Sequence, residues 1–284
     1  MSSPPLSATT PAMRRKLPMS WPGLLGAGLL VLWLLVALFG PMLPGVDGSD
    51  LGQADVFEPI SAAHWLGTDY LGRDMLGRVI AGARYTVGIA LLATVLASSI
   101  GTLLALLAAA SAPWVDAVIS RTVDTMTSIP SKMLALIMVA AFGSDVSMLV
   151  PTAALIYVPG AFRIARSLAV NINALDYVTV ARTRGEGRLY IMLKEILPNM
   201  INPMLADLGL RFVYVVLLLA SLSFLGLGVQ PPEADWGSLV RENIGALDSG
   251  GAAVVAPALA IASLTIAVNL LIDNLPGRKA RGDH

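Results

Sequence analysis

The chain has 284 residues, of which 56% are hydrophobic and only 13% charged, with a formal net charge of zero. Soluble domains carry about 25% charged residues, so this balance, with a mean hydropathy of +0.73, points to an all-α polytopic membrane protein embedded in a lipid bilayer. Zero net charge offers no electrostatic footprint for nucleic acid, the absence of cysteine excludes disulfides and thiolate metal sites, and two histidines, His64 and His284, are too few for an imidazole metal centre.

Residues 1–21 are rich in Ser, Pro and Thr, then basic, and read as a disordered cytosolic tail. The apolar run that follows is too long for a signal peptide and has no clear cleavage site, so 22–40 is expected to be an uncleaved first span. Residues 41–84 hold Asp47, Asp50, Asp55, Glu58 and Asp69, and read as an external loop ending in a helix. Within it, Asp69–Arg73 and Asp74–Arg78 have the i, i+4 spacing of ion pairs on a self-neutralised surface helix. Further spans are expected at 85–109, 115–142, 147–169, 201–228 and 251–273, making six transmembrane helices with a kink at Pro130 in the third. A short tail, 276–284, closes the chain, and no internal repeat is visible.

A polar segment, 171–198, interrupts the apolar pattern between the fourth and fifth spans. Asn173 to Arg182 can form one helix with Tyr177, Val180 and Ala181 on a common face, Gly185 and Gly187 interrupt it, and an apolar pattern resumes through Ile196, Leu197 and Pro198. With the N-terminus inside, the inner segments hold twelve Lys/Arg residues, including Arg163, Arg166, Arg182, Arg184, Arg188 and Lys194, against four outside: Arg73, Arg78, Arg84 and Arg241. That bias places both termini and the polar segment in the cytoplasm. Its bland reading is a loop whose arginines only enforce topology.

Charges inside spans are expensive and default to functional suspicion. Asp207 and Arg211 stand i, i+4 on the fifth span, where mutual pairing is the simplest account, and lining a polar path through the membrane is the alternative. Lys132 has no evident local partner; lining the path, pairing with another subunit and snorkelling all remain open.

Ala181, Gly185 and Ile196-Leu197-Pro198 resemble the EAA loop of ABC importer permeases, with Thr179-Val180-Ala181 standing where Glu-Ala-Ala would and Asp176 one turn earlier. His64 to Asp74 with Arg78 and Arg84, and Ser221 to Pro232 with Trp236-Gly237, resemble two further stretches of the dipeptide/oligopeptide/nickel permease subfamily, C-type subunit. The sequence departs from that pattern at Leu219, where a Glu is common, and at its C-terminal ending. The resemblance spans about 22–275.

It implies the type I importer permease fold, with a cytosolic coupling helix that docks on an ATPase. Asp176, Ala181, Arg182, Arg184, Gly185, Arg188, Ile196, Leu197 and Pro198 would then form the ATPase-coupling segment. The implied partners are a homologous second permease subunit, two cytosolic ATPase domains that use ATP and Mg, and an extracytoplasmic substrate-binding protein. The implied location is a bacterial or archaeal plasma (inner) membrane, and the implied substrates are short peptides, with nickel chelates, opines or other small solutes as alternatives. No cofactor is expected on this chain itself. None of its four lysines follows a glycine, so it has no P-loop, and no hydrolase or metalloprotease signature occurs. An ion-gradient-driven transporter is the competing class; inverted repeats and broken helices with midplane charges would be its marks.

Overall fold

The computed structural model describes residues 20–43, 46, 54–249 and 251–274. The tails expected at 1–21 and 276–284 lie outside the described residues except for Ser20 and Trp21, as do Asp47 and Asp50. Among the described residues the fold is all helical, relieved only by an isolated bridge between Thr68 and Asp74.

Five helices are long and apolar enough to cross a membrane: α1 (Trp21–Phe39), α2 (Met75–Ala110), α5 (Val146–Asn173), α7 (Arg188–Phe224) and α9 (Ala252–Asp273). The third expected span is not one helix. It divides into α3 (Pro113–Met126) and α4 (Ser131–Phe142), bent by 80°. At 1.5 Å per residue neither piece covers the roughly 30 Å of hydrocarbon alone. The break follows from the sequence between them. Thr125, Thr127 and Ser128 turn their hydroxyls back onto main-chain carbonyls. Pro130 then pushes Ile129 out of helical geometry and caps α4 with extended ψ. Two short helices complete the chain: α6 (Asp176–Thr183) and α8 (Trp236–Glu242).

Two boundaries differ from the expected spans. Helix α2 begins at Met75 rather than 85, because Asp74 accepts from the Gly77 amide at 2.8 Å and caps it. Its 36 residues extend about 54 Å, well beyond the roughly 30 Å of hydrocarbon. Helix α7 begins at Arg188 rather than 201, through a π-helical turn at Ile191–Ile196.

Small residues let the central helices meet. A Cβ on Gly101 would lie 2.5 Å from the Ala161 Cβ, so α2 and α5 approach closely there. Around this seam Ala93, Ala97, Ala105, Ala161 and Ala165 are fully buried. One core cluster gathers Met75, Val87, Trp236 and Leu264 at one end of the bundle, where the Trp33 ring meets Trp236 edge-on at 4.6 Å. A second gathers Phe162, Val178, Ile196 and Met200 at the other, hereafter the loop end.

The first end is closed by a cap made of residues 54–74, the start of α2 and the segment around α8. Asp235 organises it. Its Oδ1 accepts from the Gly237 and Ser238 amides, and its Oδ2 from the Ser223 hydroxyl and the Val229 amide, at 2.7–3.1 Å. Burial pushes this carboxyl up from its ordinary value, while the Ser223, Ser238, Val229 and Gly237 donors pull the other way. Asp235→Ala removes a helix cap and strands buried amides, so it should cost at least about 2 kcal/mol, read as a lower thermal midpoint in detergent. Asp235→Asn should fall between, because its NH₂ can donate to the Ser223 hydroxyl but leaves the backbone amide that shared that oxygen, the Val229 N–H, without an acceptor.

Candidate functional site

The polar segment forms a compact projection at the loop end. Helix α5 stops at Asn173, the chain turns through Ala174 and Leu175, and α6 begins at Asp176. The single helix expected over Asn173 to Arg182 is therefore broken at its start. Helix α6 ends in a Schellman motif: the Gly185 amide donates to the Arg182 carbonyl at 2.9 Å and the Glu186 amide to the Ala181 carbonyl at 3.2 Å. That geometry needs a left-handed residue at position 185, and Gly185 has φ +84°. A Cβ there would meet no atom of the described residues within 4 Å. The glycine thus serves the turn, and its outer face is bare.

Side-chain ties clamp this projection to three long helices. The Asn173 amide donates to the Ala109 carbonyl at the end of α2 at 2.8 Å, and Arg182 donates to Asn173 Oδ1 at 2.6 Å. On the other side Asn199 of α7 donates to the Tyr177 hydroxyl at 3.1 Å. Beneath, Val178 and Ala181 turn inward, only 0% and 4% exposed. These contacts join α6 to α2, α5 and α7.

The predicted coupling residues divide into two sets. Asp176, Arg182, Arg184, Gly185, Arg188 and Pro198 are exposed, with Arg184 drawn toward Glu186 at 3.4 Å. Ala181 and Ile196 are buried, and Leu197 is half-buried. The expected common face of Tyr177, Val180 and Ala181 is corrected by this: Val178 and Ala181 form the inner stripe, while Tyr177 and Val180 stay exposed. Ala181 is buried against the rest of this chain. Exposed Val180, Tyr177, Leu189 and Arg188 make the accessible face.

The intramembrane charges also separate. Asp207 and Arg211 are buried and paired at 2.6 Å, and Arg211 also donates to the Tyr157 carbonyl of α5 at 2.9 Å. The Tyr157 hydroxyl returns a bond to the Tyr214 carbonyl of α7 at 2.8 Å. These reciprocal bonds lock α5 to α7. Lys132 is exposed in the first turn of α4, with no ion-pair or hydrogen-bond partner among the described residues. Sequence reasoning missed Arg166, which grips Asp116 of α3 in a two-bond fork (Nε to Oδ1, 2.6 Å), and Arg163, 3.0 Å from Asp124. Fifty residues separate Arg166 from Asp116, so no local spacing announces the contact.

At the cap, Asp69 and Arg73 do pair, at 2.7 Å, but across a buried turn and not on a surface helix. Asp74 caps α2 and contacts His64 at 3.2 Å instead of pairing with Arg78. Arg78 turns inward to Asp69 at 3.7 Å, to Glu242 at 3.4 Å and to the Pro232 carbonyl at 3.0 Å. Burial pushes the Glu242 carboxyl up against the opposing pull of Arg78 and Arg73. This network stitches the segment before α2 to α8, so the motifs read from the sequence as a loop and a helix end form one rigid cap.

An all-helical bundle with a clamped polar projection at one end and a rigid cap at the other defines a membrane-embedded transport subunit. The family of binding-protein-dependent transport system inner membrane components matches residues 101–281, and the chain belongs to it. It is 36% identical over 261 residues to a di/tripeptide transport system permease protein, DppC, of Pseudomonas aeruginosa, covering 89% of this chain and 86% of that one. It is 34% identical over 251 residues to a glutathione transport system permease protein, GsiD, of Pectobacterium atrosepticum, covering 88% and 83%. Among solved structures, an amino acid ABC transporter crystallised with histidines shares the fold at a TM-score of 0.50 and 20% identity, over 72% of this chain and 94% of that one.

Proposed function

We propose that the chain is one permease subunit of an ATP-driven importer, that it carries short peptides across the inner membrane, and that residues 22–275 form its permease domain. The clamp of α6 onto three helix ends is the observation that carries the mechanism. The substrates that name the two relatives above, di/tripeptides and glutathione, are small peptides and support the substrate class. The Lys/Arg bias puts the loop end in the cytoplasm and the cap outside, where an extracytoplasmic binding protein delivers substrate.

A homologous second permease completes the path, and two cytosolic ATPase domains close on ATP and Mg. This chain hydrolyses nothing and holds no nucleotide. Closure pushes the exposed face of α6. Asn173, Arg182, Tyr177 and Asn199 pass the push into α2, α5 and α7. Because Arg211 and Tyr157 lock α5 to α7, the pair moves as one body, a shear past its neighbours.

Proteoliposomes containing this chain, the second permease and the ATPases should take up a labelled dipeptide only with internal-face ATP and external binding protein. Uptake by this chain alone under a proton gradient would replace the reading with a secondary transporter.

A further inference from the structure

The break between α3 and α4 leaves main-chain groups open. Among the described residues the Ile129 amide donates to nothing, and the Ser128 and Ile129 carbonyls accept nothing. The helical ladder resumes only where the Leu134 amide meets the Pro130 carbonyl at 3.0 Å. Lys132 follows directly, exposed and unpaired.

Two measures place this break inside the membrane. Asp145 stands exposed in the turn from α4 to α5, which puts that turn in water at the cap end, and Val139 and Leu149 on either side of it join the cap-end core. The 12 residues of α4 rise about 18 Å, so the break lies no deeper than that below the cap-end boundary, within the roughly 30 Å of hydrocarbon. Along α5, Arg163 is reached about 26 Å from Val146, within the same slab. Its ion pair with Asp124 at the end of α3 is open, with 53% and 63% of the two side chains exposed. Arg163 also donates to the Thr127 hydroxyl at 2.9 Å, so α5, which ends in the α6 clamp, holds the break.

Lipid tails satisfy neither open backbone nor an open ion pair at this depth; irregular chain is tolerated there where it is buried in protein or lines a water-filled cavity. Water satisfies all these groups at once, whereas a packed subunit would have to match each one. The face is also net cationic, since Arg121, Arg163 and Lys132 stand against Asp124 alone. Every unmodified short peptide ends in a carboxylate, whatever its side chains. We infer that the α3–α4 break lines an aqueous substrate path and that Lys132 takes the C-terminal carboxylate of a passing peptide. The inference rests on the peptide-permease reading above.

The sequence contains no cysteine, so Lys132→Cys puts a single thiol on this chain. In the assembled transporter in membranes, this variant should lower uptake of a labelled dipeptide about tenfold, the effect of losing one charge-assisted contact. A water-soluble methanethiosulfonate that attaches an aminoethyl group rebuilds a cation near the length of lysine, and most of the uptake should return. A neutral methanethiosulfonate of the same length should attach as fully, read by mass on this chain, and restore nothing. The wild-type complex, treated alike, controls for thiols on the other subunits. Lys132→Met should leave the thermal midpoint of the complex unchanged, because the ammonium holds no carboxylate of the second permease. Wild-type uptake in untreated Lys132→Cys, a thiol the reagents do not reach, equal uptake with the two adducts, or a lowered midpoint for Lys132→Met each overturns the inference. If the wild-type complex carries no peptide, the peptide reading itself fails; that result is obtained before any variant is made, so the two failures are distinct.

Discussion

Asp207→Ala is expected to lower the stability of the folded chain by about 3 kcal/mol, the largest single loss foreseen for this molecule. Asp207 and Arg211 are 8% and 5% exposed, and their 2.6 Å contact is the only carboxylate contact Arg211 has among the described residues. Alanine leaves the guanidinium with the Tyr157 carbonyl as its remaining partner. It has nowhere to withdraw, because Gly160 lies against it so closely that a Cβ there would stand 2.9 Å from Nη1. Estimates from breaking buried pairs in soluble proteins and from inserting a charge at the centre of a membrane helix agree on this magnitude. The readout is the thermal midpoint of the detergent-solubilised complex, together with the amount recovered from membranes. Asp207→Leu with Arg211→Met removes both charges at similar volume and should restore most of the loss. It also cuts the tie to Tyr157, so transport should stay low while stability returns. A wild-type midpoint for Asp207→Ala alone would mean that the pair is not a buried charge pair.

The same two residues show what the sequence made legible. Their i, i+4 spacing within an apolar span is a local signal, and the pair formed as the spacing allows. Asp74 and Arg78 have identical spacing but do not pair, because the helix begins between them. Asp74 becomes its cap, and Arg78 finds Glu242, 164 residues away. Long apolar runs announced five crossing helices on length alone. The sixth was harder, since an 80° bend rather than a kink depends on three hydroxyls folding back beside Pro130. At the loop, Ala181, Gly185 and Ile196 marked where the projection lies. They did not reveal which residues turn inward. Ala181 sits at the boundary between two faces of α6, and only packing against α5 and α7 decides that it joins Val178 rather than Val180. Asn173 and Asn199, which hold the projection in place, carry no pattern of their own; each acts through contacts made in the fold.

Gly185→Val should reduce transport by more than about tenfold while insertion and assembly persist. Gly185 holds φ +84° so that two amides can close the end of α6. A left-handed backbone costs an L-residue roughly 1–2 kcal/mol, and more for a β-branched one, which translates into about a five- to thirtyfold smaller population of the docking-competent turn. Asparagine tolerates that region, and its Cβ would meet no atom of the described residues within 4 Å, so Gly185→Asn should lose less than about threefold. Gly185→Asp has the same shape as the Asn variant but adds a negative charge beside exposed Arg184, Arg188 and Arg182. Val against Asn isolates the backbone requirement, and Asp against Asn isolates the charge. If docking uses the cationic face of the loop, Asp should lose transport by more than about tenfold where Asn does not, because a rim charge that opposes its partner's potential costs affinity and encounter rate. Peptide uptake and ATP hydrolysis are measured together on the assembled complex. Uptake should fall in the Val and Asp variants while the ATPases continue to hydrolyse, the signature of a drive train cut at the loop. Equal, wild-type uptake in all three would remove Gly185 from the coupling path and leave the α6 clamp as a structural staple.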